Sequence, residues 1–248
     1  LTVSVSDGSN AVTNTVAITV TDVNDQTPTF SATAGAINYA EGATTAVDSF
    51  TITDTDTTGT LACAESGADA SKFSCAISSS TLTVSWDASP DFETQTDADS
   101  NGIYVYTITV GDGTNDASAV TYTITVTDVN EASPVFGDGA TASANVAENT
   151  QTVGTYSATD ADTSDTLTYS IVAVGTNSAS VDHDLFAINS ATGALTFAAA
   201  PNFEALGCGA GNDANGCVVV LSVSDGTNTD TITVTATITN VNEAPTVA

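Results

Sequence analysis

Basic side chains are almost missing from this 248-residue chain: Lys72 is its one lysine, His183 its one histidine, and arginine is absent. Against them stand 30 aspartates and glutamates, for a formal charge of −29. Neutralising phosphates needs Lys and Arg, so nucleic-acid binding is excluded, and contact with anionic membrane surfaces goes with it. No apolar run approaches about 18 residues and no basic n-region is present, which argues against a membrane-spanning helix and a signal peptide. No N-x-S/T triplet offers an acceptor for N-glycosylation. Only 12% of residues are charged while 41% are hydrophobic, too little charge for a disordered polyelectrolyte, and the Val/Ile/Thr content suits strands. What is left is an acidic folded protein whose natural counterion is a cation.

Cysteine is scarce too. Cys63 lies near Cys75, and Cys208 near Cys217. There is no C-x-x-C, and a single His cannot complete a zinc site. Two short-range disulfides formed in an oxidising compartment account for the four, each contributing roughly 2–4 kcal/mol. The alternative is four buried free thiols packed as small hydrophobes. The expected location is extracellular or at the cell surface, in a bacterial-type setting.

The chain repeats itself. Thr21-Asp22-Val23-Asn24-Asp25 recurs as Thr127-Asp128-Val129-Asn130-Glu131 and as Thr239-Asn240-Val241-Asn242-Glu243, with Pro28, Pro134 or Pro245 shortly after. The copies are 106 and 112 residues apart, a domain-sized period. Between them, Ala40-Glu41-Gly42 answers Ala147-Glu148-Asn149, and Asp54-Thr55-Asp56 answers Asp160-Ala161-Asp162. Leu82 answers Leu195, Asp91-Phe92-Glu93 answers Asn202-Phe203-Glu204, and Asp112-Gly113 answers Asp225-Gly226. Val5-Ser6-Asp7-Gly8 matches Val223-Ser224-Asp225-Gly226. The expected organisation is therefore the last strand pair of an upstream repeat plus linker (1–25), two whole repeats (26–131 and 132–243), and the start of another linker (244–248).

Within a repeat the signal is period-two alternation. Tyr104, Tyr106, Ile108 and Val110 share one face, as do Tyr122, Ile124 and Val126, and Ile232 and Val234. Threonines occupy the other face, where a β-branched hydroxyl meets water. About seven strands fit each repeat and no segment holds a 3.6-residue period, which describes a β-sandwich of immunoglobulin-like size. Aligned this way, Cys63 and Cys75 fall opposite the apolar Tyr169 and Ile188, so the first disulfide is expected to replace a core contact. The second pair brackets a Gly-rich insertion, Gly207–Gly216.

Oxygen-bearing residues gather around each linker. At the central one, Asp128, Asn130, Glu131 and the carbonyl of Val129 come from the linker, Glu41, Asp91 and Glu93 from the repeat before it, and Asp160, Asp162 and Asp225 from the repeat after it. Converging carboxylates with no Lys or Arg repel one another. A hard divalent cation relieves that, and Ca²⁺ accepts 6–8 carboxylate, amide and carbonyl oxygens in flexible geometry.

D-x-N-D/E before a Pro, A-E-G/N, D-x-D, D/N-F-E and D-G, in this order and twice over, resemble the motifs of cadherin repeats across nearly the whole chain. The resemblance implies an all-β fold of tandem seven-stranded Greek-key β-sandwiches, cadherin/immunoglobulin-like, joined by calcium-binding linkers that rigidify the array. It also implies the ligand sets. The upstream junction would use Asp22, Asn24, Asp25, Asp54, Asp56 and Asp112, and the downstream one Glu148, Asn202, Glu204, Asn240, Asn242 and Glu243. Asn202 and Asn240 stand where acids are usual, so the downstream set carries less charge. Trp86 falls mid-repeat as a core residue, so strand exchange of the animal cell-adhesion type is not supported.

The function expected is that of the stalk or filament of a bacterial-type surface adhesin, not an enzyme. Its partners would be calcium ions, other copies of the same protein, or a cell-surface target reached through distal domains. The rival is a spacer or carbohydrate-binding module of a secreted multidomain enzyme. Paired carboxylates such as Asp91 and Glu93 suit glycoside hydrolysis, but the pair recurs in register in the next repeat. His183, the one base for a Ser-His-Asp triad, is expected exposed in a variable loop. Asp97-Ala98-Asp99-Ser100-Asn101-Gly102 opens like an EF-hand loop, but its twelfth position is Ile108, so a solvated loop is expected, with a minor cation site as the alternative.

Overall fold

The computed structural model describes residues 1–44, 46–173, 182–205, 207–208 and 216–244. Two units divide the chain, Leu1–Thr127 and Asp128–Ala248. Pro245, most of the Gly-rich insertion (209–215) and 245–248 of the last linker segment lie outside the described residues.

Unit 1 begins with a hairpin of β1 (Thr2–Ser6) and β2 (Ala11–Thr15), paired Val5↔Val12 and closed by Asp7, whose Oδ1 accepts the N–H of Ser9 and Asn10 at 2.9 and 2.7 Å. All ten of its strand residues are exposed. Eight further strands follow: β3 (Thr29–Phe30), β4 (Gly35–Ala40), β5 (Asp48–Thr53), β6 (Ala62–Ser66), β7 (Phe73–Ser78), β8 (Thr81–Trp86), β9 (Ile103–Gly111) and β10 (Val120–Thr127). They form two sheets, β4-β10-β9-β6 and β3-β5-β8-β7. β4 runs parallel to β10 with Ile37 opposite Ile124, while every other pair in the two sheets is antiparallel. β3 and β4 thus split the first of seven strand positions between the sheets.

The alternation predicted from sequence is what buries the core. Tyr104, Tyr106, Ile108 and Val110 of β9 and Tyr122, Ile124 and Val126 of β10 meet Phe50, Ile52, Leu82, Val84 and Phe73 of the facing sheet. Trp86 packs against this core, its ring centroid 4.3 Å from that of Phe73 and 4.9 Å from that of Tyr104.

Unit 2 repeats the plan with β11 (Val135–Phe136), β12 (Thr141–Ala147), β13 (Thr152–Thr155), β14 (Ala158–Thr159), β15 (Thr168–Ile171), β16 (Phe186–Ile188), β17 (Ala194–Phe197), β18 (Gly216–Ser224) and β19 (Thr229–Thr239). One sheet is β12-β19-β18-β15, with β12 parallel to β19. β13-β17-β16 and the short pair β11-β14 form the other side. Val219, Leu221, Val223, Ile232, Val234, Ala236 and Ile238 supply the center of its core.

Both disulfides are present. Cys63 lies on β6, the edge of one sheet, and Cys75 on β7, the edge of the other, so their bond closes the sandwich covalently along one side. Cys208 bonds to the buried Cys217 at the start of β18. Among the described residues no helix is long and apolar enough to cross a membrane.

The ladders correct one equivalence read from sequence. Leu195 pairs with Ile188, as Val84, not Leu82, pairs with Cys75. Unit 1 closes this hairpin with Ser79 and Ser80. Unit 2 uses the longer turn after Asn189, whose Oδ1 accepts the N–H of Ala191 and Thr192 and which ends at Gly193 with φ +69°.

Candidate metal centre

In unit 1, β9 and β10 are antiparallel, so the Asp112 turn after β9 and the end of β10 at Thr127 lie at opposite poles of one sheet. Each pole gathers carboxylates. At the upper pole, Asp54, Asp56 and Asp112 each bring an oxygen within 4.8 Å of the others. The linker is tied to this pole by backbone donors: Asp56 Oδ2 accepts the N–H of Asp25 and Gln26 at 2.9 and 2.7 Å. Asp22 Oδ2 accepts the N–H of Thr57 at 2.6 Å and its hydroxyl at 2.8 Å, and the Thr57 N–H is the main reason the Asp22 carboxyl sits below its ordinary range. Asp112 Oδ1 accepts Thr114 and Asn115 N–H, both at 2.8 Å, and the Asn115 bond leads in depressing its pKa. Asn24 donates to the Thr114 hydroxyl at 3.3 Å.

At the lower pole of unit 1, Glu41, Asp91 and Glu93 form the second group within 4.8 Å. Glu41 is buried and its Oε2 accepts the Phe92 N–H at 2.5 Å, while its own N–H donates to Thr127 O at 3.1 Å. Gly42 follows in the left-handed region, φ +65°, and Asn149 holds the same place in unit 2 at φ +60°. That conformation explains why the A-E element ends in Gly or Asn.

The lower pole of unit 2 groups Glu148, Glu204 and Glu243 within 4.8 Å. Buried Glu148 accepts the N–H of Val241 at 2.8 Å and of Phe203 at 2.9 Å, and these two bonds, Val241 foremost, hold its carboxyl below the usual range. Asn240 donates to Glu204 at 2.8 Å, and Asn149 to Glu243 at 3.0 Å. Asn202 caps its own turn, accepting the N–H of Glu204 and Ala205. Asn242 is exposed.

At the upper pole of unit 2, Asp162 Oδ2 accepts the N–H of Glu131 at 3.0 Å and of Ala132 at 2.8 Å, the same clasp that Asp56 makes. Asp128 accepts the hydroxyl of Ser164, and Asn130 donates to Asp165. Burial acts to raise Asp225, but the N–H groups of Asn228 and Thr227, each 2.6 Å from its Oδ1, outweigh it and keep the carboxyl below its ordinary value. Asp160 lies two residues before Asp162 and accepts its N–H at 3.2 Å, and Val129 is exposed. The central set thus has Glu41, Asp91 and Glu93 in unit 1 and its other members in unit 2.

The test of fit is which oxygens the fold leaves over. In unit 1, Asp112 Oδ2 and Asn24 Oδ1 are buried with no hydrogen-bond partner. In unit 2 the same holds for Asp160 Oδ2 and Asp225 Oδ2. Burying polar oxygens without a donor is unfavourable. At both upper poles the remaining valence is oxygen only, which suits a hard cation such as Ca²⁺ and not a soft metal.

Three features escape a reading of the repeated motifs. Asp165 is one, half-buried among the acids of its pole. Asp69 and Asp182 are the others, buried at 3% and 4% exposure. Each donates its backbone N–H to a carbonyl of β9 or β18, Val105 O and Val218 O at 3.1 Å, and accepts that same residue's N–H on its side chain, Val105 at 2.7 Å and Val218 at 2.8 Å. Their shared D-x-x-x-F spacing before Phe73 and Phe186 is the signal that finds them. His183 is half-buried in a single 3₁₀ turn, His183–Leu185, with Nε2 3.2 Å from Asp184, not exposed in a loop. Asp97 is also buried, accepting the N–H of Asn101 and Gly102, so its loop is an internally bonded turn and not simply solvated.

No family model matches the sequence, and no curated protein matches it. Solved structures do. A protocadherin gamma B7 structure of repeats EC3-6, a cis-dimer, is 23% identical over 94% of this chain and 55% of that one, with TM-score 0.60. The protocadherin gamma B4 extracellular domain is 23% identical over 92% of this chain and 36% of that one, TM-score 0.59. Mouse cadherin-23 repeats EC22-24 are 22% identical over 97% and 73%, TM-score 0.58. This chain spans about half or less of the two protocadherin chains. The fold is that of cadherin extracellular repeats.

Proposed function

We propose that this chain is a calcium-binding segment of an extracellular array of cadherin-like repeats, serving as the stalk or filament of a bacterial-type surface adhesin. The repeats are 26–131 and 132–243, and the exposed valines of the β1–β2 hairpin suit the closing strand pair of an upstream repeat. The observation that carries the reading is the set of buried carboxylate oxygens without a donor, Asp112 Oδ2 and Asp225 Oδ2, at matching turns of successive units. Asp112 stands with Asp54 and Asp56, and the whole chain offers one lysine and no arginine to balance such acids.

Bound Ca²⁺ would supply the positive charge these poles lack. The residues do the rest. Asp56 and Asp162 fix the linker backbone, Glu41 and Glu148 fix the D/N-F-E segment, and Asp112 and Asp225 each keep one oxygen bonded and one in reserve. With ions held jointly by a lower pole, a linker and the next upper pole, bending at linkers is limited and a distal element is carried away from the cell. Extracellular calcium modules bind with dissociation constants on the order of 10⁻⁴–10⁻³ M, so saline, calcium-rich surroundings fit.

Thermal unfolding with calcium and with excess chelator tests this. A melting temperature that rises with calcium, and loses that rise in Asp112→Asn and Asp225→Asn, is the expected result. Equal melting temperatures in both conditions contradict it.

A further inference from the structure

Asp165 belongs to none of the repeated motifs, and the gapless counterpart of its segment, Asp54 to Leu61, carries Gly59 at its step. Unit 1 has no room for a side chain there. A Cβ on Gly59 would stand 2.7 Å from Asn24 Nδ2 and 3.0 Å from the carbonyl oxygen of Asp112, and its φ is +101°. In unit 2 the chain turns back on itself, the Asp165 N–H donating to Asp162 O at 3.1 Å. The half-buried Asp165 side chain accepts the amide of Asn130 on Oδ2.

Hydrogen bonds tie it to the other acids of the pole. Asp160 Oδ1 accepts the Asp162 N–H, Asp128 accepts the hydroxyl of the neighbouring Ser164, and Asn130 in turn accepts the amide of Asn228, whose N–H donates to Asp225 Oδ1. Two of those neighbours hold buried oxygens with no hydrogen-bond partner, Asp160 Oδ2 and Asp225 Oδ2, and Asp225 as a residue is only 9% exposed. A fifth carboxylate in such a place adds repulsion and gains one amide hydrogen bond, which is a poor exchange unless a cation shares the site.

We propose that Asp165 is a further cation ligand of the upper pole of unit 2, giving that pole an oxygen donor that Gly59 denies to unit 1 and a tighter hold on Ca²⁺. The inference rests on the calcium reading of the poles. It makes the two upper poles unequal: as calcium falls, the unit 1 pole empties first.

Calcium titration of the whole chain by isothermal calorimetry, with melting in chelator as a second readout, tests it. In Asp165→Asn and Asp165→Gly, the tightest class of sites should weaken about tenfold, while melting in chelator is unchanged or higher. Asp56→Asn should leave that class in place and weaken another. If both Asp165 variants keep every calcium affinity while Asp162→Asn weakens one, Asp165 is not a ligand and the calcium reading stands. If both lower the melting temperature in chelator, Asp165 is structural and the proposal fails. If the unaltered chain binds no calcium, the reading of the poles fails and takes this proposal with it.

Discussion

The Glu148 carboxylate accepts the backbone N–H of Phe203 at 2.9 Å, and in the other unit Glu41 accepts that of Phe92 at 2.5 Å. A buried acid therefore pins the same D/N-F-E segment in both repeats before any ion is considered. Glu148→Ala should lower the melting temperature in chelator as well as in calcium, because Phe203 and Val241 N–H both lose their acceptor. Glu243→Gln, on an exposed side chain, should act in calcium only. Differential scanning calorimetry of both variants in both buffers separates the two roles.

Asn240 donates to Glu204 at 2.8 Å where Asp22 and Asp128 stand in the earlier linkers. Asn240→Asp removes that bond and brings a second negative charge to Glu204. It should destabilise the chain in chelator and stabilise it in calcium, a change of sign that melting curves across a calcium series will show. Asn202→Asp should sharpen the same response.

The Cys63–Cys75 bond joins edge strands of opposite sheets across a sequence separation of 12 residues. By chain entropy such a closure contributes about 3 kcal/mol. Replacing both cysteines with alanine should destabilise unit 1 by about that much in urea melts. Unit 2, which has Tyr169 and Ile188 at these steps, should be unaffected.

Tyr122 has a buried hydroxyl with no hydrogen-bond partner, and burial, helped by the charge of Asp48, pushes its pKa up to about 12. Tyr122→Phe should therefore stabilise unit 1 at neutral pH by about 1 kcal/mol. In the unfolded chain the phenol ionises near 10, below its folded value. The contribution of Tyr122 to stability is thus intact below about pH 10 and is lost as pH rises toward 12. The advantage of the Phe variant should widen over that window, which alkaline unfolding followed by near-UV absorbance will measure.

Alternation made the fold legible, because Tyr104 through Val110 and Tyr122 through Val126 each bury every second residue. It could not show what lies against a face: Val3, Val5 and Val12 alternate equally well and are exposed. Nor does it fix hairpin length, so Leu82 and Leu195 align in sequence yet sit at different ladder steps. At the poles, repeated spacing picked out acids present in both units. Asp165 carries no such signature, because its partner position is Gly59. Asp69 and Asp182 serve strand backbone and lie far from the linkers in sequence, outside the motifs that recur around them.

Small-angle X-ray scattering of the chain in calcium and in excess chelator bears most directly on stiffening at the linkers. Calcium should lengthen the maximum dimension and narrow the spread of conformers needed to fit the curve, with chelation reversing both. Superimposable curves under the two conditions would mean that cations at these carboxylate poles do not stiffen the array.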